Sequence, residues 1–181
     1  IHTIVSSFRN VNSPEDLAKQ INSNFTTDED KVKASFYWLA TNINYDIIAL
    51  SSSNKQYRFT YTDKADKQRK IKAIEDKFIN ETFTKRKGIC EEYALSLKKL
   101  CDLLKIPCKT INGNVRVDIS EIGRINKDTN HAWNLVYVNN KWIFIDTTWA
   151  AGFAINGKWN KSFNSYFYNT PKNKAVKTHY S

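Results

Sequence analysis

Apolar residues recur three and four positions apart through roughly the first hundred residues, and the pattern changes after that, so helices are expected to precede strands. Ser13-Pro14-Glu15-Asp16 reads as a helix start, with a hydroxyl cap, a proline in the first turn and acids at the positive end of the dipole. Thr27-Asp28-Glu29-Asp30 starts a second helix, along which Val32, Phe36, Leu39 and Ile43 form one buried stripe. Residues 51–70 are polar and predict a surface excursion, with some extended backbone around Tyr57, Phe59 and Tyr61. Ile71, Ile74 and Phe78 predict a third, short helix. Lys87-Gly88 breaks that pattern, and a stronger helix begins at about Cys90, carrying Ala94, Leu97, Cys101 and Leu104 inward until Ile106-Pro107 ends it.

Cys108 to Val115 reads as a strand and residues 116–130 as a polar loop. Trp133 to Val138 and Lys141 to Asp146 read as two strands joined by Asn139-Asn140, a favourable two-residue hairpin turn. Helices followed by an antiparallel sheet make an α+β layout. No internal repeat or linker divides the chain. One domain over residues 1–181 is expected, with its core at about 30–180 and residues 1–29 as a helical lead-in.

A chain of 181 residues, 41% hydrophobic and with five tryptophans, has enough apolar surface to bury a core. No apolar run approaches the roughly 20 residues of a membrane helix, so no membrane span is expected. Ile1 opens the sequence and methionine is absent, so the expectation is a chain that has lost its start. The net charge of +10 raises an anionic surface or polymer as a partner, with Lys64, Lys67, Arg69, Lys70 and Lys72 as the densest run. No nucleic-acid-binding motif accompanies it, and a solvated lysine-rich face explains the run more simply. Three cysteines leave at least one free thiol, and the spacing of His2, His131 and His179 offers no metal-ligand motif; neither metal nor cofactor is expected.

Cys90 opens the central helix, where unpaired amide N–H groups and the dipole favour a thiolate, and Lys85, Arg86 and Lys87 add positive potential. Cys101 sits mid-stripe and Cys108 at a strand start, both read as small buried hydrophobes. The hairpin register ties Cys90 to two other residues. With Val138 opposite Lys141, Trp133 faces Asp146, and His131 and Asp146 become diagonal neighbours on one face of the sheet. Such positions lie about 7–8 Å apart at the backbone, within reach of a carboxylate-to-imidazole hydrogen bond. A histidine so oriented can serve as a general base.

Three blocks then carry a resemblance: Lys87-Gly88-Ile89-Cys90-Glu91-Glu92-Tyr93-Ala94, Asn130-His131-Ala132-Trp133-Asn134, and Trp142-Ile143-Phe144-Ile145-Asp146-Thr147-Thr148-Trp149. Together they resemble the transglutaminase-like superfamily, closest to its kyphoscoliosis-peptidase and cytokinesis-protein branch with bacterial relatives. Trp38 to Asp46 is similar to that branch's upstream block, and Tyr166 to His179 weakly to its closing segment. The resemblance implies a papain-like α+β fold with Cys90 as nucleophile, His131 as base and Asp146 as orienter. It implies acyl transfer on a protein or peptide substrate, by hydrolysis or transamidation; the compartment is left open, and the lost start of the chain makes an exported or cell-surface bacterial protein the expectation. Tyr45, Trp38, Trp133 and Trp149 are the candidate substrate contacts, with Tyr45 or Trp38 as a second oxyanion donor beside the Cys90 N–H. The loop from Val115 to Asn130 is expected to overhang the site. Glu92 departs from the family's Cys-x-Gly-Tyr and is expected to project about 200° around the helix, toward solvent or Lys85 and Arg86. The competing readings are a non-catalytic binding module on the same fold and an anionic-polymer binder.

Overall fold

The computed structural model describes residues 1–51, 59–116 and 129–180. Helices α1 (His2–Ser6), α2 (Pro14–Asn24) and α3 (Asp28–Asn42) come first. The Ser13 and Thr27 hydroxyls accept from the amides of Asp16 and Asp30, so both hydroxyl-led helix starts take the geometry their sequence favours. Strand β1 (Asn44–Tyr45), α4 (Ile47–Ser51), α5 (Lys64–Lys85), β2 (Lys87–Gly88) and α6 (Cys90–Leu103) follow. Then come β3 (Cys108–Val115), β4 (His131–Val138), β5 (Lys141–Ile145), α7 (Thr147–Ala151), β6 (Gly152–Ile155), β7 (Lys158–Lys161), α8 (Lys172–Ala175) and β8 (His179–Tyr180).

The sheet runs β5-β4-β3-β8, antiparallel throughout. Ala132, Asn134, Val136 and Val138 are buried on one face of β4, and Asn134 donates through Nδ2 to the Ala94 carbonyl of α6 at 3.0 Å. Helix α6 is the hub: Tyr93, Leu97, Leu100 and Cys101 are buried against α2, α3, α5 and the sheet. Leu17 and Ile21 of α2 have no exposed surface, so the expected lead-in packs into this same core.

Three expectations need correction. The third helix is not short: α5 spans 22 residues, because Asp63 caps its start through the Asp66 amide, and its buried apolar residues, Ile79 and Phe83, lie near its end. Before Ile71 it carries no apolar stripe to read, and apart from Asp66 its residues there are exposed or half-buried. Phe59 and Tyr61 touch at 6.3 Å outside any strand, while Tyr57 lies outside the described residues. The fifth strand stops at Ile145, since Asp146 turns to cap α7, accepting from the Trp149 amide at 2.9 Å. Of the polar loop at 116–130, residues 117–128 lie outside the described residues.

Candidate active site

The β4–β5 turn sets the geometry. Asn139 and Asn140 take φ of 51° and 60°, the left-handed pair of a type I′ turn that asparagine tolerates. Val138 therefore pairs with Lys141, as the sequence requires, and the register runs to Asn134 opposite Ile145. One step further, Asp146 leaves the strand with its side chain on the His131 side, and His131 Nε2 bonds Asp146 Oδ2 at 2.7 Å. The other His131 nitrogen is not used by Asp146, and the Cys90 thiol is among the groups that favour the charged ring.

Asp146 is fully buried, a costly place for a carboxylate unless donors surround it. Three N–H groups do so: His131 and His179 on Oδ2, at 2.7 and 2.9 Å, and the Trp149 amide on Oδ1. Burial pushes its pKa up, but the charge and hydrogen bonds of the two histidines outweigh that and hold it below the usual carboxylate range. Burial likewise opposes the charged form of His131, and Asp146 and Cys90 together outweigh it, so the imidazolium is favoured. Cys90 is only 9% exposed, against 8% for Cys108 and 0% for Cys101, so exposure does not set it apart. Its partners do: it sits at N1 of α6 against an imidazole, whereas the Cys101 thiol hydrogen-bonds Cys108, which with burial drives its pKa up.

Strands β1 and β2 pair in parallel, Tyr45 beside Gly88, which brings Tyr45 to the start of α6. Burial, then the charges of Cys90, Glu92 and Asp146, raise its pKa, with the Cys90 backbone opposing them, so the phenol keeps its proton. Trp133 and Trp149 flank His131, with centroids at 6.1 and 5.8 Å. Trp133 crosses β3 over Gly113, where any Cβ would come within 2.4 Å of the indole. Trp38 does not join them: it is 2% exposed, stacked on Phe83 at 5.2 Å with the Arg86 guanidinium on it, and so is a core residue.

Glu92 also lies elsewhere than expected. Its Oε2 turns back to accept from the Ile89 amide at 2.8 Å, supplying the N-terminal cap that the Ile89 side chain cannot. Burial raises its pKa. A cleft of about 410 Å³ runs along α4, the end of α5 and residues Gly88, Ile89, Glu91 and Glu92. It adjoins the start of α6, although neither Cys90 nor His131 lines it.

Sequence patterns do not single out His179 as a site residue, because a histidine in a polar tail gives no periodic signal to connect it with residue 146. His131, Asp146 and His179 also offer one nitrogen or oxygen each within 4.8 Å, a set that suits zinc. Two hydrogen bonds to one oxygen already account for that convergence. A metal there would displace the N–H that His131 gives to Asp146.

Residues 15–147 match the sequence model of the Transglutaminase-like superfamily. The chain belongs to the transglutaminase-like superfamily. Kyphoscoliosis peptidase from Homo sapiens is 25% identical over 169 residues, 92% of this chain, and its Mus musculus counterpart 23% over 157 residues, 85% of this chain. The chain spans 23% and 21% of those relatives' lengths. A crystal structure described as a TGase superposes over 91% of this chain and 41% of its own, with a TM-score of 0.49 and 20% identity. The fold is the α+β, papain-like arrangement of the superfamily, with helices on an antiparallel sheet and Cys90 opening the central helix.

Proposed function

We propose that this transglutaminase-like chain is a cysteine-dependent acyl-transfer enzyme acting on peptide or side-chain amides, with Cys90 as nucleophile, His131 as base and Asp146 as orienter. The observation that carries this reading is the buried His131–Asp146 hydrogen bond of 2.7 Å beside Cys90, whose thiol opens α6 and favours the charged form of the same ring. A packing role for the three residues would not need an ionised carboxylate at zero exposure.

His131 takes the thiol proton, and the thiolate attacks the amide carbonyl carbon. The tetrahedral intermediate collapses as the C–N bond breaks, His131 returns the proton to the departing amine, and a thioester remains on Cys90. Water or a second amine, deprotonated by His131, attacks the thioester and releases the thiol. The Cys90 amide and the Tyr45 hydroxyl, neighbours at the start of α6, serve as the oxyanion donors, with Trp133 and Trp149 beside His131 on the substrate side. The names of the human and mouse relatives favour a peptide substrate.

The test is mass-mapped alkylation by iodoacetamide at pH 6, joined to turnover of a peptide library. Cys90 should label at least tenfold faster than Cys101 and Cys108, since an ordinary thiol of pKa about 8.5 is mostly protonated there. Cys90→Ala should abolish turnover and shift Tm by no more than a few degrees. Equal labelling of the three thiols, or no turnover alongside turnover restored by Glu92→Gly, would leave a binding module instead.

A further inference from the structure

His179 belongs to β8, which pairs with β3 through Val115 opposite His179 and Asn114 opposite Tyr180. It is 5% exposed, and Trp149, Phe144 and Trp133 enclose its ring at centroid distances of 4.6, 4.9 and 5.1 Å. An apolar cage of that kind would accept a phenylalanine at no polar cost, yet both nitrogens of this ring are committed. Nε2 meets Asp146 Oδ2 at 2.9 Å, and Nδ1 meets the Thr178 hydroxyl at 2.8 Å. Asp146 is ionised and can only accept, so Nε2 donates, and in the neutral ring Nδ1 accepts the Thr178 proton. The tautomer is thereby fixed from the far side. Most telling is the target: of the two Asp146 oxygens, His179 holds the one that also holds His131.

We propose that His179 is a positioning residue of this site, acting through Asp146: it pins Oδ2 on His131 Nε2 and so keeps the other imidazole nitrogen on the Cys90 thiol. The role rests on the acyl-transfer reading. Without the His179 N–H, Oδ2 keeps a single donor, and the carboxylate gains freedom to turn about its own bond. The carboxylate then no longer holds the His131 ring in one orientation, and the pairing of that ring with the Cys90 thiol weakens. Among the described residues, the other titratable and charged groups around Asp146 and His179 are Cys90 on α6, Tyr45 on β1, His131 on β4, and Arg116 stacked on Tyr180 at 4.2 Å. None of them changes when His179 alone is replaced.

The experiment follows the rate of Cys90 alkylation by iodoacetamide from pH 4 to 9 in wild type, His179→Phe and His179→Gln, with Tm recorded for each. In His179→Phe the acid limb should move up by roughly half to one unit, lowering the rate at pH 6 about three- to tenfold. His179→Gln retains an N–H donor and should recover most of the wild-type profile. Where the phenylalanine ring is not accommodated, His179→Met supplies the donor-free comparison. A wild-type profile in the donor-free variant overturns the role, as does an equal shift in His179→Gln, which would mark packing alone. Either result leaves the acyl-transfer reading intact. A wild-type Cys90 that labels no faster than Cys108 removes both.

Discussion

At the scale of single residues, the site is an exercise in making a buried charge tolerable. Asp146 meets donors on both oxygens, and each donor is held by something else: Trp149 by α7, His131 by β4, His179 by β8. Asp146→Asn would set an amide N–H against either the two imidazole N–H groups or the Trp149 amide, and would remove the charge that all three donors face. Turnover should fall by about 10³- to 10⁴-fold, as for the buried aspartate of serine-protease triads. The charges also couple folding to pH. The Asp146 pKa is lowered to about 2 from an ordinary 3.8, so its contribution is complete above pH 3.8 and is lost as pH falls toward 2. The His131 pKa is raised from 6.5 to about 10, so its contribution is complete below pH 6.5 and is lost as pH rises through 10. Between pH 6.5 and 10 the wild-type Tm should therefore fall further than that of His131→Gln. For a chain of this size each kcal/mol of linkage is worth about 2–4 °C. A parallel decline in the two proteins would show that His131 gains no charge on folding.

At the scale of elements, two short features hold the chemistry. Glu92 closes the N-terminus of α6 on the Ile89 amide, so Glu92→Gly loses a cap and gains a helical glycine. It should destabilise the protein by roughly 1–2 kcal/mol in urea melts, with Glu92→Gln largely neutral. The second feature is the Asn139-Asn140 turn: one inserted residue there reverses the side-chain parity between β4 and β5. Selective Cys90 labelling should then vanish while far-UV dichroism stays close to wild type. This hairpin is legible in the sequence because turn chemistry and alternation are local signals, and together they put His131 and Asp146 on one face. The Ser13 and Thr27 caps are legible for the same reason. Other features depend on distance. β1 and β2 are two residues each, too short for periodicity, and they pair positions 44 and 87 only because α3 and α5 end side by side. β8 is equally short and joins 179 to 115. The place of Glu92 escapes a reading by helical angle alone, which ignores that a carboxylate at N3 can fold back to the helix start.

At the scale of the whole molecule, the charge of +10 is largely a surface matter. Within the basic run of α5, Arg69 and Lys70 are paired with Asp66, Lys72 with Asp76 at 3.4 Å, and Lys67 lies over the Tyr61 ring. Replacing Lys64, Lys67 and Lys72 with Gln should flatten the salt dependence of binding to heparin resin and leave Cys90 alkylation within twofold. A large loss of alkylation would instead tie the basic face to the site. No helix among the described residues is long and apolar enough to cross a membrane. The sheet order β5-β4-β3-β8 draws the candidate site from across the chain: Cys90 first, then His131 and Asp146, with His179 last. On the ribosome, at about 5–20 residues per second, on the order of ten seconds pass between the addition of Cys90 and that of His179. For much of that interval Cys90 stands without the two histidines that meet at Asp146 in the folded chain. The order of synthesis thus acts as a timer: the candidate site is assembled in full only once the last strand has been made and has paired with β3.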